Sequence, residues 1–479
     1  MAANDLFDLT ALEQARLVRS REVSSEELVR GYLERISRLN PSLHAFTQVL
    51  SRSALKDARR KDAELSRRGA DTKSLPPFYG VPIAVKDLNF VKGSFTRLGS
   101  RAYRWFLSPV DDKTVTRLRE GGFVILGKTA TSELGAMPVT EPDIHAPTRN
   151  PWDLSRTPGG SSGGAGSALA AGLTPIAQGS DGAGSIRIPS SFGHLFGIKP
   201  SRGRVPDPYG RPDRTSIATV GPMAHSVSDA AALLDVMAGL CTGIGAPHWA
   251  PAPSCPFHET VSGPPPRALK IRFTLRSPLV TAHPEVAEAV GRVTALLEQM
   301  GHHVEEGAPP VGELEEFLPV WQFLVAQPPV LRAGSLQPVT AWLRESGKRL
   351  RAADVLVRQG ELEQRVLGWF GDADLWVTPA VAVPPPAIGA WRSLGPADAF
   401  GQAAKLGAFT ALFNITGQPA ASIPAGVSSE GWPIGVQLAG RPSEDGTVLA
   451  VARALEEAMP WHHRQSPLRT GSGVSRAAS

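Results

Sequence analysis

Between Gly159 and Ser185 the chain makes two turns almost devoid of side chains, GGSSGG at 159–164 and GSDGAGS at 179–185. Glycine packs no core and loses more backbone entropy on folding than any other residue, so such runs persist where another group must approach the main chain closely. The residues between them, AGSALAAGLTPIAQ, read as a helix over Ala165–Gly172 followed by a strand that leaves into the second turn. The two turns therefore sit at opposite ends of one helix-strand unit, and any fold for this chain has to accommodate both.

The flanking sequence repeats the alternation. Ser24 with Glu27 three residues later forms a capping box for a helix over Glu26–Ser37. Val81, Ile83 and Val85 are β-branched, and Pro82 opens a buried strand that ends near Lys86. A helix over Thr114–Gly121 runs into the apolar strand Phe123–Leu126. Further on, residues 225–240 form a helix with Ser226 or Ser228 at its start and Gly239 at its end. ALKIRFTL, the amphipathic PEVAEAVGRVTALLEQM capped by Gly301, and HHVEE make a β-α-β pattern. LWVTPAVAVPPPAIG and ASIPAG supply late strands. The fold class is α/β, a large twisted mixed sheet with helices on both sides, and no solenoid-period repeat is present.

Several function classes are excluded by charge and composition. Fifty basic against 45 acidic residues leave a net charge of +5 over 479 residues, too weak a field for a polyanion-binding face. No stretch of about 18 apolar residues and no export signal is present, so a cytoplasmic protein without membrane or nucleic-acid partners is expected. Cys241 and Cys255 make neither a disulfide framework nor a zinc cluster, and the eleven histidines include no H-E-x-x-H; no metal or cofactor is expected.

Acyl transfer needs a nucleophile, a base and donors aimed at an oxyanion, and consecutive backbone N–H groups in a glycine turn supply such donors. Lys86 at the end of an apolar strand is a candidate base, because desolvation lowers a lysine pKa from about 10.4. Taken singly, Lys86 also reads as a snorkelling strand-end lysine and the serine turns as ordinary caps. In order along the chain, GVPIAVKD, TPGGSSGGAGSALAAG, GSDGAGSIRIPSSFGHLFGIKPSRGRV and FTALFNITGQPAASIPAG resemble the blocks of the amidase signature family. The resemblance extends from LNPSLHAF through VGPMAHSVSDAA to GWPIGVQLAGRPSEDGTVLAVARALE, nearly the whole chain.

That resemblance implies a Ser-cisSer-Lys triad at Ser185, Ser161 and Lys86, with Ser185 as nucleophile and Ser161 relaying its proton to Lys86. It also implies an oxyanion hole from the N–H groups of Gly182, Ala183, Gly184 and Ser185, supported by Ser162 and Asp181. The usual Asp-(Thr/Ile)-Gly-Gly-Ser block is here Asp181-Gly182-Ala183-Gly184-Ser185. Leu88 and Asn89 alter the stretch after Lys86-Asp87, and Ala130 replaces a common asparagine. If position 183 needs a positive φ, its methyl group imposes strain of about 1 kcal/mol or more. The SDGAGSIRIP form is similar to branches that include hydrolases of cyclic nylon-oligomer dimers.

The implied organisation is one domain over 1–468, divided into a helical region 1–70, a signature core 71–240, a variable pocket region 241–370 and a core return 371–468, with a flexible tail 469–479. Trp321, Phe323, Trp342 and Trp369 are candidate pocket residues within the stretch from about Trp249 to Phe370. The implied partner is a small-molecule amide, and a homodimer is admitted. Three other readings compete. An α/β-hydrolase elbow at Ser162 satisfies G-x-S-x-G but follows a polar, proline-bearing approach instead of a strand. A nucleotide-binding module lacks GxxxxGK[ST] and carries Asp181 where phosphate would sit. The glutaminase subunit of a tRNA-dependent amidotransferase resembles the same family and would need partner subunits.

Overall fold

The protein is represented by a computed structural model that describes residues 6–69, 71–209, 213–240, 250–330 and 332–470. Its strands are β1 (Phe46–Val49), β2 (Pro82–Lys86), β3 (Val124–Thr129), β4 (Ile176–Asp181), β5 (Phe196–Lys199), β6 (Thr219–Ala224), β7 (Lys270–Phe273), β8 (His303–Glu306), β9 (Leu375–Pro379), β10 (Ala420–Val427) and β11 (Pro433–Gly440). They form an 11-stranded mixed sheet in the order β1-β3-β2-β4-β6-β5-β10-β11-β9-β7-β8. β2 runs parallel to both β3 and β4, whereas the central strands from β4 to β9 pair antiparallel.

β2 and β3 are buried throughout and send alternate residues to opposite layers. Ile83, Val85 and Ile125 point into a core shared with the helices Val227–Ala238, Pro284–Gln299 and Asp445–Ala458. Ala84, Val124 and Leu126 face the helices Ser25–Leu43, Ser51–Arg68 and Gly163–Ala170. A third cluster holds the helices Leu314–Ala326, Pro338–Lys348 and Ala352–Phe370 against Trp376 of β9. Covering both faces explains why these strands read as continuous apolar runs.

Local signals place most elements. The capping box of Ser24 and Glu27 is formed, and its helix runs on to Leu43 because Leu39 and Leu43 continue the apolar face set by Ile36. Ser226 caps the helix Val227–Ala238, and Gly239 ends it in the left-handed conformation at φ 79°. Gly301 has φ 89°, one residue beyond the Met300 cap. The small helix starts earlier than expected, at Gly163, because it lies against backbone: a Cβ on Gly164 would come 2.3 Å from the Ala130 nitrogen.

Strands β1, β5, β6 and β11 carry no clear sequence signal. β6 contains Gly221-Pro222, a pair that normally argues against a strand, yet a Cβ on Gly221 would meet the Ile198 carbonyl oxygen at 2.4 Å. The run LWVTPAVAVPPPAIG is strand only as far as Pro379. Arg469 and Thr470, the first residues of the expected tail, lie in the helical turn Pro467–Thr470, where Arg469 donates to Asp8 Oδ1 at 3.1 Å; residues 471–479 lie outside the described residues. Cys255 is a free thiol, and Cys241 and Trp249 also lie outside the described residues. Among the described residues no helix is long and apolar enough to cross a membrane.

Candidate active site

Lys86 ends β2 with its side chain completely buried, and its backbone N–H donates to Gln178 Oε1 of the neighbouring strand at 3.0 Å. Three hydroxyls surround its Nζ: Ser161 Oγ at 2.8 Å, Ser162 Oγ at 2.8 Å and Ser180 Oγ at 2.9 Å. Burial brings the Lys86 amine down to about 7, against the opposing pull of the Asp181 carboxylate. Ser162 Oγ donates to the Ser180 carbonyl at 3.0 Å and accepts the Ser180 N–H at 3.2 Å, so its proton is already committed. Lys86 must therefore donate to Ser162, which leaves the amine lone pair for another of its hydroxyl neighbours.

The first glycine turn delivers Ser161. Gly159 and Gly160 have φ of 74° and 62°, and a Cβ on Gly160 would lie 2.5 Å from Pro189 Cδ and 3.2 Å from Ser185 Cα. These two glycines reverse the chain with trans bonds. No peptide bond among the described residues is cis, which corrects the cis conformation expected at Ser161. The Ser161 backbone N–H donates to Ser185 Oγ at 2.9 Å, bringing the two serines together.

The second turn is organised by Asp181. Its carboxylate accepts the N–H of Gly184 at 2.7 Å and of Ile186 at 3.0 Å, and pairs with Arg187 at 2.8 Å with both side chains wholly buried. Burial alone would raise the Asp181 pKa, but Arg187, the Ile186 N–H and Lys199 outweigh it and hold the carboxyl far below the ordinary range. Gly184 is thus occupied, a correction to the four-donor hole. The N–H groups of Gly182, Ala183 and Ser185 meet no acceptor among the described residues. Ala183 is not among the residues with positive φ, so its methyl group brings no left-handed strain. Gly184 instead takes φ 121°, and its bare α-carbon lets Thr410 Oγ1 sit where a Cβ would be. Thr410 in turn donates to the Ala183 carbonyl at 2.7 Å.

Arg187 fastens this turn to the far end of the chain, donating to the Thr410 carbonyl, Gln437 Oε1 and Asn414 Oδ1 at 2.8, 2.7 and 2.6 Å. Replacing it with methionine leaves Asp181 buried without its cation and is expected to cost about 3–5 kcal/mol of stability. Urea denaturation of Arg187→Met against the parent reads that loss directly.

Ser185 opens onto a cleft of about 880 Å³, counting its mouth. Its walls are largely apolar, including Ala136, Met137, Phe317, Trp321, Phe400 and Leu412, and its charged residues are Glu313 and Glu316. Trp321 lines the cleft. The other three candidate aromatics do not: Phe323 belongs to the third core cluster, Trp342 packs on Phe400 and Trp369 on Trp376.

The family pattern for Amidase matches residues 27–327 and 328–449. The chain belongs to the amidase signature family. This amidase is 40% identical over 470 residues to a putative amidase of a Synechocystis strain, covering 97% of the chain and 92% of that relative. Among solved structures it is similar to a 6-aminohexanoate cyclic dimer hydrolase complexed with substrate, at 32% identity and TM-score 0.87, covering 97% of this chain and 99% of that one. A bacterial aryl acylamidase of the same family superposes with TM-score 0.86 at 25% identity, covering 98% and 99%. The amidase is accordingly a hydrolase of carbon–nitrogen amide bonds.

Sequence reading missed Ser180, Gln178 and Arg187 of this amidase. Ser180 and Asp181 are adjacent in β4 and so face opposite sides, one to Lys86 and one to Arg187, a division that strand alternation permits. Arg187 stands as a lone charge in the apolar run SIRIP, a pattern that signals a buried ion pair. Among the described residues no three His, Cys, Asp or Glu side chains converge as a metal site.

Proposed function

We propose that this amidase hydrolyses a small uncharged carboxamide through Ser185, Ser161 and Lys86. The arrangement that carries the reading is the buried Lys86 amine 2.8 Å from Ser161 Oγ, with the Ser161 N–H 2.9 Å from Ser185 Oγ. Neutral Lys86 takes the Ser161 proton while Ser161 takes that of Ser185, whose oxygen attacks the carbonyl carbon. The carbonyl oxygen becomes an oxyanion held by the N–H groups of Gly182, Ala183 and Ser185; one such donor is worth about 3 kcal/mol in a transition state. As the C–N bond breaks, the proton returns from Lys86 through Ser161 to the departing nitrogen. Water then cleaves the Ser185 ester by the same relay.

The two structural relatives are named for a cyclic amide dimer and for aryl acyl amides, and an apolar cleft of about 880 Å³ accommodates groups of that size. A glutaminase role is disfavoured because, among the described residues, no lysine or arginine lines the cleft to hold the α-carboxylate of glutamine. Phosphate binding is disfavoured because Asp181 already fills the turn's Gly184 and Ile186 donors. Incubation with a panel of aliphatic, aryl and cyclic amides should leave an acyl adduct on the peptide that contains Ser185. Mass detection of the adduct on a different peptide would overturn the assignment.

A further inference from the structure

Gly182 and the six-membered ring of Trp321 meet at the edge of the Ser185 turn. A Cβ built on Gly182 would lie 3.0 Å from Trp321 Cζ3 and 3.2 Å from Cη2, so the indole occupies the space a side chain at 182 would need. The ring is fixed there: Nε1 donates to the Ala136 carbonyl at 3.1 Å, and Phe317 stacks beside it with centroids 5.9 Å apart and planes 26° off parallel. Phe317 and Trp321 both line the cleft, next to Ala183 and Ser185. Gly182 is itself one of the N–H donors of the turn that meet no acceptor among the described residues, so a carbonyl oxygen held there would bring the amide beside this aromatic wall.

Resting on the hydrolase reading above, we infer that the Gly182–Trp321 contact is a specificity device that selects amides with a flat aromatic or small-ring group flanking the scissile bond. Aromatic rings gain from offset stacking beyond the area they bury, and a preorganised ring wall holds that geometry without ordering a loop. A small acyclic amide reaches the same donors but leaves the indole face uncovered. Trp321 is thus a specificity residue, and Gly182 is glycine so that the wall can stand in contact with the oxyanion turn.

The test compares kcat/KM for benzamide and acetanilide with that for propionamide across variants. Trp321→Ala is expected to lower the ring-to-acyclic ratio about tenfold or more for at least one of the two ring amides, while Trp321→Phe keeps most of it. Gly182→Thr should push the indole aside and depress turnover generally. In the double variant Gly182→Thr/Trp321→Val, turnover of propionamide should recover relative to Gly182→Thr alone while the ring preference stays lost. Parallel losses on all three amides in Trp321→Ala, with no such recovery in the double variant, would mean that the indole is only core packing and would overturn the inference. An unchanged ratio in Trp321→Ala, with turnover still abolished by Ser185→Ala, would overturn it while leaving the hydrolase reading intact.

Discussion

Replacing Ser185 by alanine is expected to lower kcat/KM for any amide substrate by at least ~10³-fold, with the residual rate coming from the oxyanion donors and binding alone. The change removes one oxygen from a nearly buried site and deprives the Ser161 N–H of its acceptor, which costs about 1 kcal/mol of stability. A thermal melt within a few degrees of the parent, together with lost turnover, separates chemistry from folding. Turnover within tenfold of the parent would remove Ser185 from the reaction. Ser162 is the contrasting control, because its hydroxyl is tied to Lys86 and the Ser180 backbone and does not open onto the cleft.

Lys86→Met should be as damaging, on the order of 10³-fold or more, because a neutral thioether neither accepts nor returns the Ser161 proton. The pH dependence follows from the same amine. Burial brings Lys86 to about 7, so above that pH it is neutral and can act as base, and below it gains a proton and cannot. For kcat/KM the parent should show an acid limb near pH 7, falling about tenfold for each further unit of acidification. A rate that stays flat to pH 5 would exclude an amine base, and the Lys86→Met variant should have no such limb in its residual activity.

What the sequence makes legible here is local. Strand β2 ends at Lys86 because its apolar run stops there, and Ser226 and Gly239 bracket their helix through caps that involve only near neighbours. The two glycine turns announce close backbone approach, and each has it: Pro189 stands over Gly160 and Trp321 over Gly182. What stays hidden depends on partners far along the chain. Arg187 finds Thr410, Asn414 and Gln437 at separations of 223, 227 and 250 residues, and no periodicity encodes those pairings. The use of Gly184 by Asp181 is invisible for another reason, since a glycine turn offers its N–H groups equally and only the folded carboxylate chooses among them. β6 and β11 escape notice because their glycines serve backbone crowding, at Ile198 and Ser191 respectively, instead of strand propensity.

The bracing of the Ser185 turn by Gln437 also sets a schedule for biosynthesis. A ribosome has to deliver β11 before the Arg187 guanidinium acquires its full shell, although Lys86 and both serines emerge hundreds of residues sooner. The nascent polypeptide thus carries Lys86, Ser161 and Ser185 long before the brace on the Ser185 turn exists, and that turn gains its full set of partners only after Gln437 has been added.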